Sequence, residues 1–357
     1  MQETILPPES YFESEIFRLE TERIFYRTWM HVCHESQLRH AGDYVTYRLG
    51  DQSVIIVRGE GNELRAFHNV CQHRGRELLE GAGNAKAIVC PYHGWTYHTD
   101  GSVIHARGSE LVPGLDLSRI CLQPVRLETV AGFVFVNLDR NAEPLGSLYA
   151  GFEDELRGFE PDVERLVHVR RTIFDLAVNW KVAVENYLEA YHLVNVHPAL
   201  RNSVRNDEWC MTLNPNYTAM IGTANVEGDI AYDFTAAEKL AQTNWWLWPM
   251  VMFEQMPGGS QLFTYNHVPL EPERTLQVVD FYFPDDSLSD EQLAEIEYVE
   301  KVVRIEDKVA IEGVQRGLHS RGYRHGPLMT GPEVPEEITE KGILHFQELV
   351  SRAMTSA

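Results

Sequence analysis

The stretch "CQHRGRELLEGAGNAKAIVCPYHGWTY", residues 71–97, contains two short loops of matching composition. Cys71 and His73 form C-x-H, and after sixteen residues Cys90 and His93 form C-x-x-H. Each loop supplies one thiolate and one imidazole, and the adjacent Gly75 and Gly94 let the backbone approach closely. Two such pairs fit poorly with isolated core cysteines and surface histidines. They read as a metal site.

Two centres compete for these residues. Structural zinc takes Cys and His in a tetrahedron, but its usual spacings group cysteine with cysteine and histidine with histidine. The alternating order fits a [2Fe–2S] centre in which two cysteines hold one iron and two histidines the other. That is a Rieske cluster, whose neutral imidazoles raise its potential. The chain has five cysteines, and Cys33, Cys121 and Cys210 match no ligand position, so they read as packing residues. A disulfide framework is not expected at this size.

Short β runs surround the two loops from Asp43 to about Asp139: "YVTYRL", "SVIIVRG", "LRAFHNV" and "AGFVFVNL". Residues 10–39 read as helical. Later come the strands "QLFTYNHVPL" and "TLQVVDFYF" and a long helix from near Ser289 to Leu318, with Ser289 and Gln292 placed for a capping box. The fold expected is α+β. It has an N-terminal helical segment (1–40), a small all-β domain (41–142), and an α+β domain (143–357) with an antiparallel sheet and metal-bearing helices. The N-terminal segment is expected to pack on the last of these.

A chain of 357 residues with 44% hydrophobic and 24% charged residues has ample material for a core. Its net charge of −22 disfavours nucleic acid and anionic membranes as partners and suits a cationic ligand or a basic redox partner. No apolar run approaches a membrane span, and "MQETILPPESYFESEIF" lacks the order of a signal peptide, so a cytoplasmic location is expected.

The segment 71–97 resembles the Rieske signature of ring-hydroxylating oxygenase α subunits. A second segment carries the same resemblance: "ENYLEAYHLVNVHPAL", residues 185–200, within "NWKVAVENYLEAYHLVNVHPAL". A helix puts Glu185, Glu189 and His192 on one face. His197 lies five residues past His192 and would point roughly 140° away. For both imidazoles to reach one metal the helix must distort or end between Leu193 and Val196, helped by Pro198. The resemblance implies that His192 and His197 bind a mononuclear Fe(II), with Glu189 as the bridging carboxylate.

Non-haem Fe(II) sites of this type add one carboxylate to two histidines. In "RIEDKVAIEGVQRGL", residues 304–318, both Glu306 and Asp307 are candidates, and periodicity does not separate them. The resemblance selects Asp307. Glu189 stands where many ring-hydroxylating members carry aspartate. That departure is shared by the branch acting on quaternary ammonium compounds such as carnitine, glycine betaine and stachydrine. The tail "EGVQRGLHSRGYR" looks particularly like the members of that branch that act on carnitine.

The resemblance therefore implies a monooxygenase that uses O₂ and electrons from a separate flavin and iron–sulfur reductase. It would hydroxylate a quaternary ammonium or N-methylated substrate, with demethylation or C–N cleavage following. It also implies a homotrimer in which His93 of one subunit approaches His192 or His197 of the next through Glu189. In "TNWWLWPMVMF", residues 243–253, Trp246 and Trp248 share a face if the run is a strand. Aromatic faces attract quaternary ammonium groups, which makes both candidates for the substrate pocket. Two alternatives remain: oxidation of an aromatic acid by the same metals, and a non-catalytic Rieske electron carrier. The full set Glu189, His192, His197 and Asp307 argues against the carrier.

Overall fold

The β runs around the paired Cys/His loops form an antiparallel sheet of seven strands. Its spatial order is Met30–His34, Phe133–Asn137, Pro124–Val130, Leu64–His68, Gln52–Arg58, Asp43–Leu49 and Ala82–Asn84. A smaller three-stranded sheet of Ile88–Val89, Thr96–Tyr97 and Val103–His105 adjoins it in sequence. Val54 to Val57 and all of Phe133–Asn137 are buried, so these strands read as near-continuous apolar runs. The computed structural model describes residues 2–158, 162–202, 204–225, 241–256 and 261–355.

The chain divides into two units, Tyr26–Leu145 and the combination of Met1–Phe25 with Gly146–Ala357. The expected helical segment over 1–40 is therefore split. Only Ser14–Arg23 is α-helical, and Met30–His34 is instead an edge strand paired with Phe133–Asn137. All five residues of "MHVCH" are buried. Pairing satisfies the backbone groups that face Phe133–Asn137.

In the larger unit, six strands between Val204 and Phe283 form an antiparallel meander whose last strand, Arg274–Phe283, pairs with Val167–Leu176. The strands between are Leu262–Glu271, Val251–Gln255, Ala241–Leu247, Tyr217–Ala224 and Val204–Leu213. Val251–Gln255 is buried throughout, as befits a central strand covered on both faces. The site helix Trp180–Tyr187, N-capped by the Asn179 side chain on Lys181 N–H, buries its first five residues. The helix Lys341–Thr355 packs nearby, with Phe346 edge-on to Trp180.

Two helical expectations change. The site helix ends at Tyr187, before Glu189, and Leu193–Val196 is itself a helical turn, so the break falls earlier than the anticipated Leu193–Val196. The long C-terminal helix begins with the expected Ser289/Gln292 capping box, but a π-helical stretch at Val299–Val303 separates Asp290–Tyr298 from Arg304–Leu318. A wider turn rotates every later side chain relative to a regular helix, and such turns favour functional sites. Among the described residues, no helix is long and apolar enough to cross a membrane.

Candidate functional site: two metal centres

In the β unit the two Cys/His loops share one backbone design. Cys71 N–H donates to Arg76 C=O and Gly75 N–H returns to Cys71 C=O; Cys90 N–H donates to Trp95 C=O and Gly94 N–H returns to Cys90 C=O. Gly75 and Gly94 have φ of 72° and 71°, the left-handed conformation that closes each turn. The thiols of Cys71 and Cys90 are buried in a cluster with Ile55, Phe67 and Tyr97, whereas His73 and His93 are exposed. Their rings lie 4.9 Å apart, and His73 stacks on Trp95. Tyr97 Oη sits 3.2 Å from Cys71 Sγ and accepts the Gln72 N–H. Burial and the neighbouring thiols push the Tyr97 hydroxyl up.

A tetrahedral zinc would draw all four donors to within about 4 Å of one another. Among the described residues, only His192, His197 and Asp307 bring three donors within 4.8 Å. The wider spread of the Cys/His atoms fits a two-iron cluster, with thiolates inside and imidazoles at the surface, better than one ion.

The second centre is built in the larger unit. His192 and His197 both turn Nε2 toward Asp307 Oδ1, at 3.7 and 2.8 Å, and all three residues are at least partly buried. The other nitrogen of each ring meets a different carboxylate. His192 Nδ1 lies 2.6 Å from Glu189 Oε1, and His197 Nδ1 lies 2.7 Å from Glu306 Oε2. This pairing orients each ring so that Nε2 is presented to a metal. Glu189 Oε2 also accepts the His192 backbone N–H at 2.9 Å, which locks the break in the helix.

Asp307 is held by Asn186 Nδ2 at 2.9 Å and Arg304 at 2.8 Å. Burial would raise its pKa, but the Arg304 guanidinium and the His197 ring outweigh burial and hold the carboxyl well below the usual range. Burial would lower His192, yet Glu189 and Asp307 raise it. The donors, two imidazoles and one ionised carboxylate on one side, match what a non-haem Fe(II) requires. Glu306 and Asp307, inseparable by periodicity, take different positions: Asp307 faces Nε2 and Glu306 faces Nδ1.

The side chains of His192, His197 and Asp307 open on a cavity whose walls include Tyr187, Trp209, Gln242, Asn244, Glu254 and Arg304. Burial raises the pKa of Glu254, and Arg304 and the Tyr265 hydroxyl oppose that shift. Trp246 and Trp248 are not among the lining residues. Trp246 is on the Gln242–Asn244 face of strand Ala241–Leu247 but one step further along, where it packs on Phe346. Its Nε1–H goes to Pro249 C=O. Trp248 lies past the strand end, against the same Phe346. Glu185 turns away from the metal donors: Tyr11 and Gln347 donate to its Oε1, and burial raises its pKa to about 7. Glu254 was legible as the one acid in "VMFEQM"; Asn186 and Tyr187 carried no such signal.

Residues 28–115 match the Rieske [2Fe–2S] domain family, and residues 163–356 match the ring hydroxylating alpha subunit (catalytic domain) family. The chain belongs to the Rieske non-haem iron oxygenases and is an oxygenase α subunit, with a [2Fe–2S] cluster and a mononuclear iron as its cofactors. It is 38% identical to the carnitine monooxygenase oxygenase subunit of Escherichia coli (strain K12), over 97% of this chain and 93% of that protein. The chloroplastic choline monooxygenase of Spinacia oleracea is 30% identical, over 95% of this chain and 76% of that protein. A quaternary ammonium Rieske monooxygenase crystallised with L-carnitine superposes with a TM-score of 0.90 at 36% identity, covering 99% of this chain and 96% of that one.

Proposed function

We propose that this protein is a monooxygenase that hydroxylates a quaternary ammonium or N-methylated small molecule, leading to oxidative demethylation or C–N cleavage. The observation that carries the reading is a buried carboxylate, Glu254, in the wall of the metal cavity with Tyr187 and Trp209. Carboxylate and aromatic faces together attract a cation that cannot donate hydrogen bonds. The likeness to carnitine and choline monooxygenases supports the same substrate class.

We assign Cys71, Cys90, His73 and His93 to the [2Fe–2S] cluster and His192, His197 and Asp307 to the mononuclear iron. When bound, these groups supply single-electron delivery and O₂ activation. The chain's own work is positional. Glu189 and Glu306 hold the two imidazoles by Nδ1, while Asn186 and Arg304 hold Asp307. Tyr187, Trp209 and the sheet wall confine the substrate beside the metal and exclude bulk water.

Electrons would come from a separate flavin and iron–sulfur reductase. The exposed His73 and His93 suit delivery to another subunit, and a structurally similar relative is described in terms of inter-subunit electron transfer. We take the assembly to be a homotrimer in which Glu189 links His93 of one subunit to His192 of the next. The domain limits proposed are 41–142 for the Rieske domain and 143–357 for the catalytic domain, with residues 26–40 of the N-terminal segment grouped with the former.

The test is a single turnover of chemically reduced protein with O₂ against betaines, choline, carnitine and aromatic acids, with products read by mass spectrometry. A hydroxylated or demethylated product, or trimethylamine, from an onium compound is expected. Turnover of aromatic acids alone would overturn the substrate class and leave the metal assignments intact.

A further inference from the structure

The sheet wall of the metal cavity carries hydrogen-bonding capacity that the protein itself does not use. Gln242 and Asn244 are 4% and 8% exposed and both line the cavity, yet Gln242 Oε1 and Asn244 Oδ1 have no partner. Buried polar atoms left unsatisfied are rare, and each calls for an explanation. The two residues are neighbours two apart on strand Ala241–Leu247, facing the same side. Asn244 is directly opposite Glu254 on strand Val251–Gln255.

Glu254 sets the character of this wall. Gln242 Nε2 donates to Glu254 Oε1 at 3.4 Å, which commits the Gln242 amide N–H to the carboxylate and leaves its Oε1 as a free acceptor. This part of the wall is therefore acceptor-rich. Among the described residues, the Arg and Lys side chains that line the cavity are Arg304 and Lys308. Arg304 pairs with Asp307 Oδ2 at 2.8 Å and lies over the Tyr265 ring, while Lys308 Nζ pairs with Glu312 at 3.0 Å and donates to Asp175 C=O. Arg304 Nε and Trp209 Nε1 are donors without a partner, and they belong to other elements of the cavity wall.

Resting on the quaternary ammonium reading above, we propose that Gln242, Asn244 and Glu254 determine specificity by selecting a substrate with a hydroxyl group. The O–H donates to Gln242 Oε1 or Asn244 Oδ1, and a carboxylate in the same place meets only acceptors beside Glu254. A neutral donor pairs one of two buried acceptors, whereas a carboxylate brings a further acceptor to a place that offers it no donor. A site with buried polar atoms discriminates strongly against analogues that leave them unpaired.

Choline and glycine betaine isolate this feature. Both carry a trimethylammonium on a two-carbon frame, and they differ in ending with a hydroxyl or a carboxylate. Calorimetric titration of the full-length protein, with both iron centres loaded and without O₂, is expected to give choline binding at least about tenfold tighter than betaine. Gln242→Leu and Asn244→Leu should each narrow that preference, and Glu254→Gln should raise betaine affinity several-fold. Folding of each variant is checked by its retained iron content. Equal or tighter betaine binding by the native protein, or a preference unmoved in all three variants, overturns the inference and leaves the quaternary ammonium reading standing. Binding of neither compound to fully loaded protein overturns the inference, and the single-turnover panel then decides the quaternary ammonium reading separately.

Discussion

Two carboxylates, Glu189 and Glu306, meet the outer nitrogens of two histidines whose inner nitrogens converge on Asp307. Such partners raise the basicity of a ligand and fix its tautomer, and their loss typically costs about 10–100-fold in metal affinity or activity. Glu306→Ala is expected to weaken mononuclear iron within that range, measured by competition with a chelator, and to leave the Rieske spectrum intact. Unchanged iron affinity would assign Glu306 to the surface, where its side chain is 35% exposed. Glu189→Gln should behave differently. An amide can still orient the ring, so both iron centres should load, while electron transfer to the iron slows by roughly tenfold or more. Rapid-mixing oxidation of the reduced cluster at the native rate would remove the bridging role. The proposed metal-binding residues could be picked out of the sequence because their spacing is local: C-x-H, C-x-x-H and H-x₄-H survive any tertiary arrangement. Glu306 was seen only as the competitor of Asp307, since which nitrogen of His197 each acid meets depends on helical phase.

At the scale of elements, the π-helical stretch Val299–Val303 sets that phase. Both capping residues at the start of this helix were legible, yet no motif announces the wide turn that begins ten residues after Ser289. The helix before it, Asp290–Tyr298, buries Glu295 against Gln261, which donates to its carboxyl. Burial raises the Glu295 pKa to about 8. The folded state therefore holds a proton that the unfolded chain releases near pH 4.5. Glu295 contributes fully below that pH, and its contribution is lost as pH rises through about 8, on the order of a few kcal/mol. Glu295→Gln should flatten this part of the stability profile, measured as urea midpoints between those limits. A native slope that survives the substitution would assign it to another group. The tryptophan expectation failed at this same scale. Alternation placed Trp246 on the correct face of its strand, but height along the strand determines whether a side chain meets the metal or Phe346.

At the scale of the larger unit, its two sequence-distant parts are joined under the metal site. Glu20, from helix Ser14–Arg23, takes hydrogen bonds from Lys181 Nζ at 2.5 Å and Trp180 Nε1 at 2.9 Å, and both ion-pair partners are essentially buried. Lys181 is pushed down by burial, with Glu20 opposing. Glu20→Ala would strand a buried ammonium and is expected to cost roughly 3–5 kcal/mol, seen in the urea midpoint. Adding Lys181→Met should restore part of that loss, because it removes the unpaired charge. No restoration would mean that Glu20 acts mainly through Trp180.

Read residue by residue, the chain disclosed its family and cofactors, and offered two short Cys/His loops for the cluster and two close histidines for the iron. Short spacings and residue types carry that information, because ligands close in sequence stay close in any fold. Folding then decided which acid of the Glu306–Asp307 pair meets the Nε2 atoms of His192 and His197, where the site helix breaks, and which side chains line the cavity. Those outcomes depend on helix phase and on contacts across strands far apart in sequence. Glu254, Gln242 and Asn244 meet only because strands Ala241–Leu247 and Val251–Gln255 pair in one register, and that register is fixed by packing of the whole sheet.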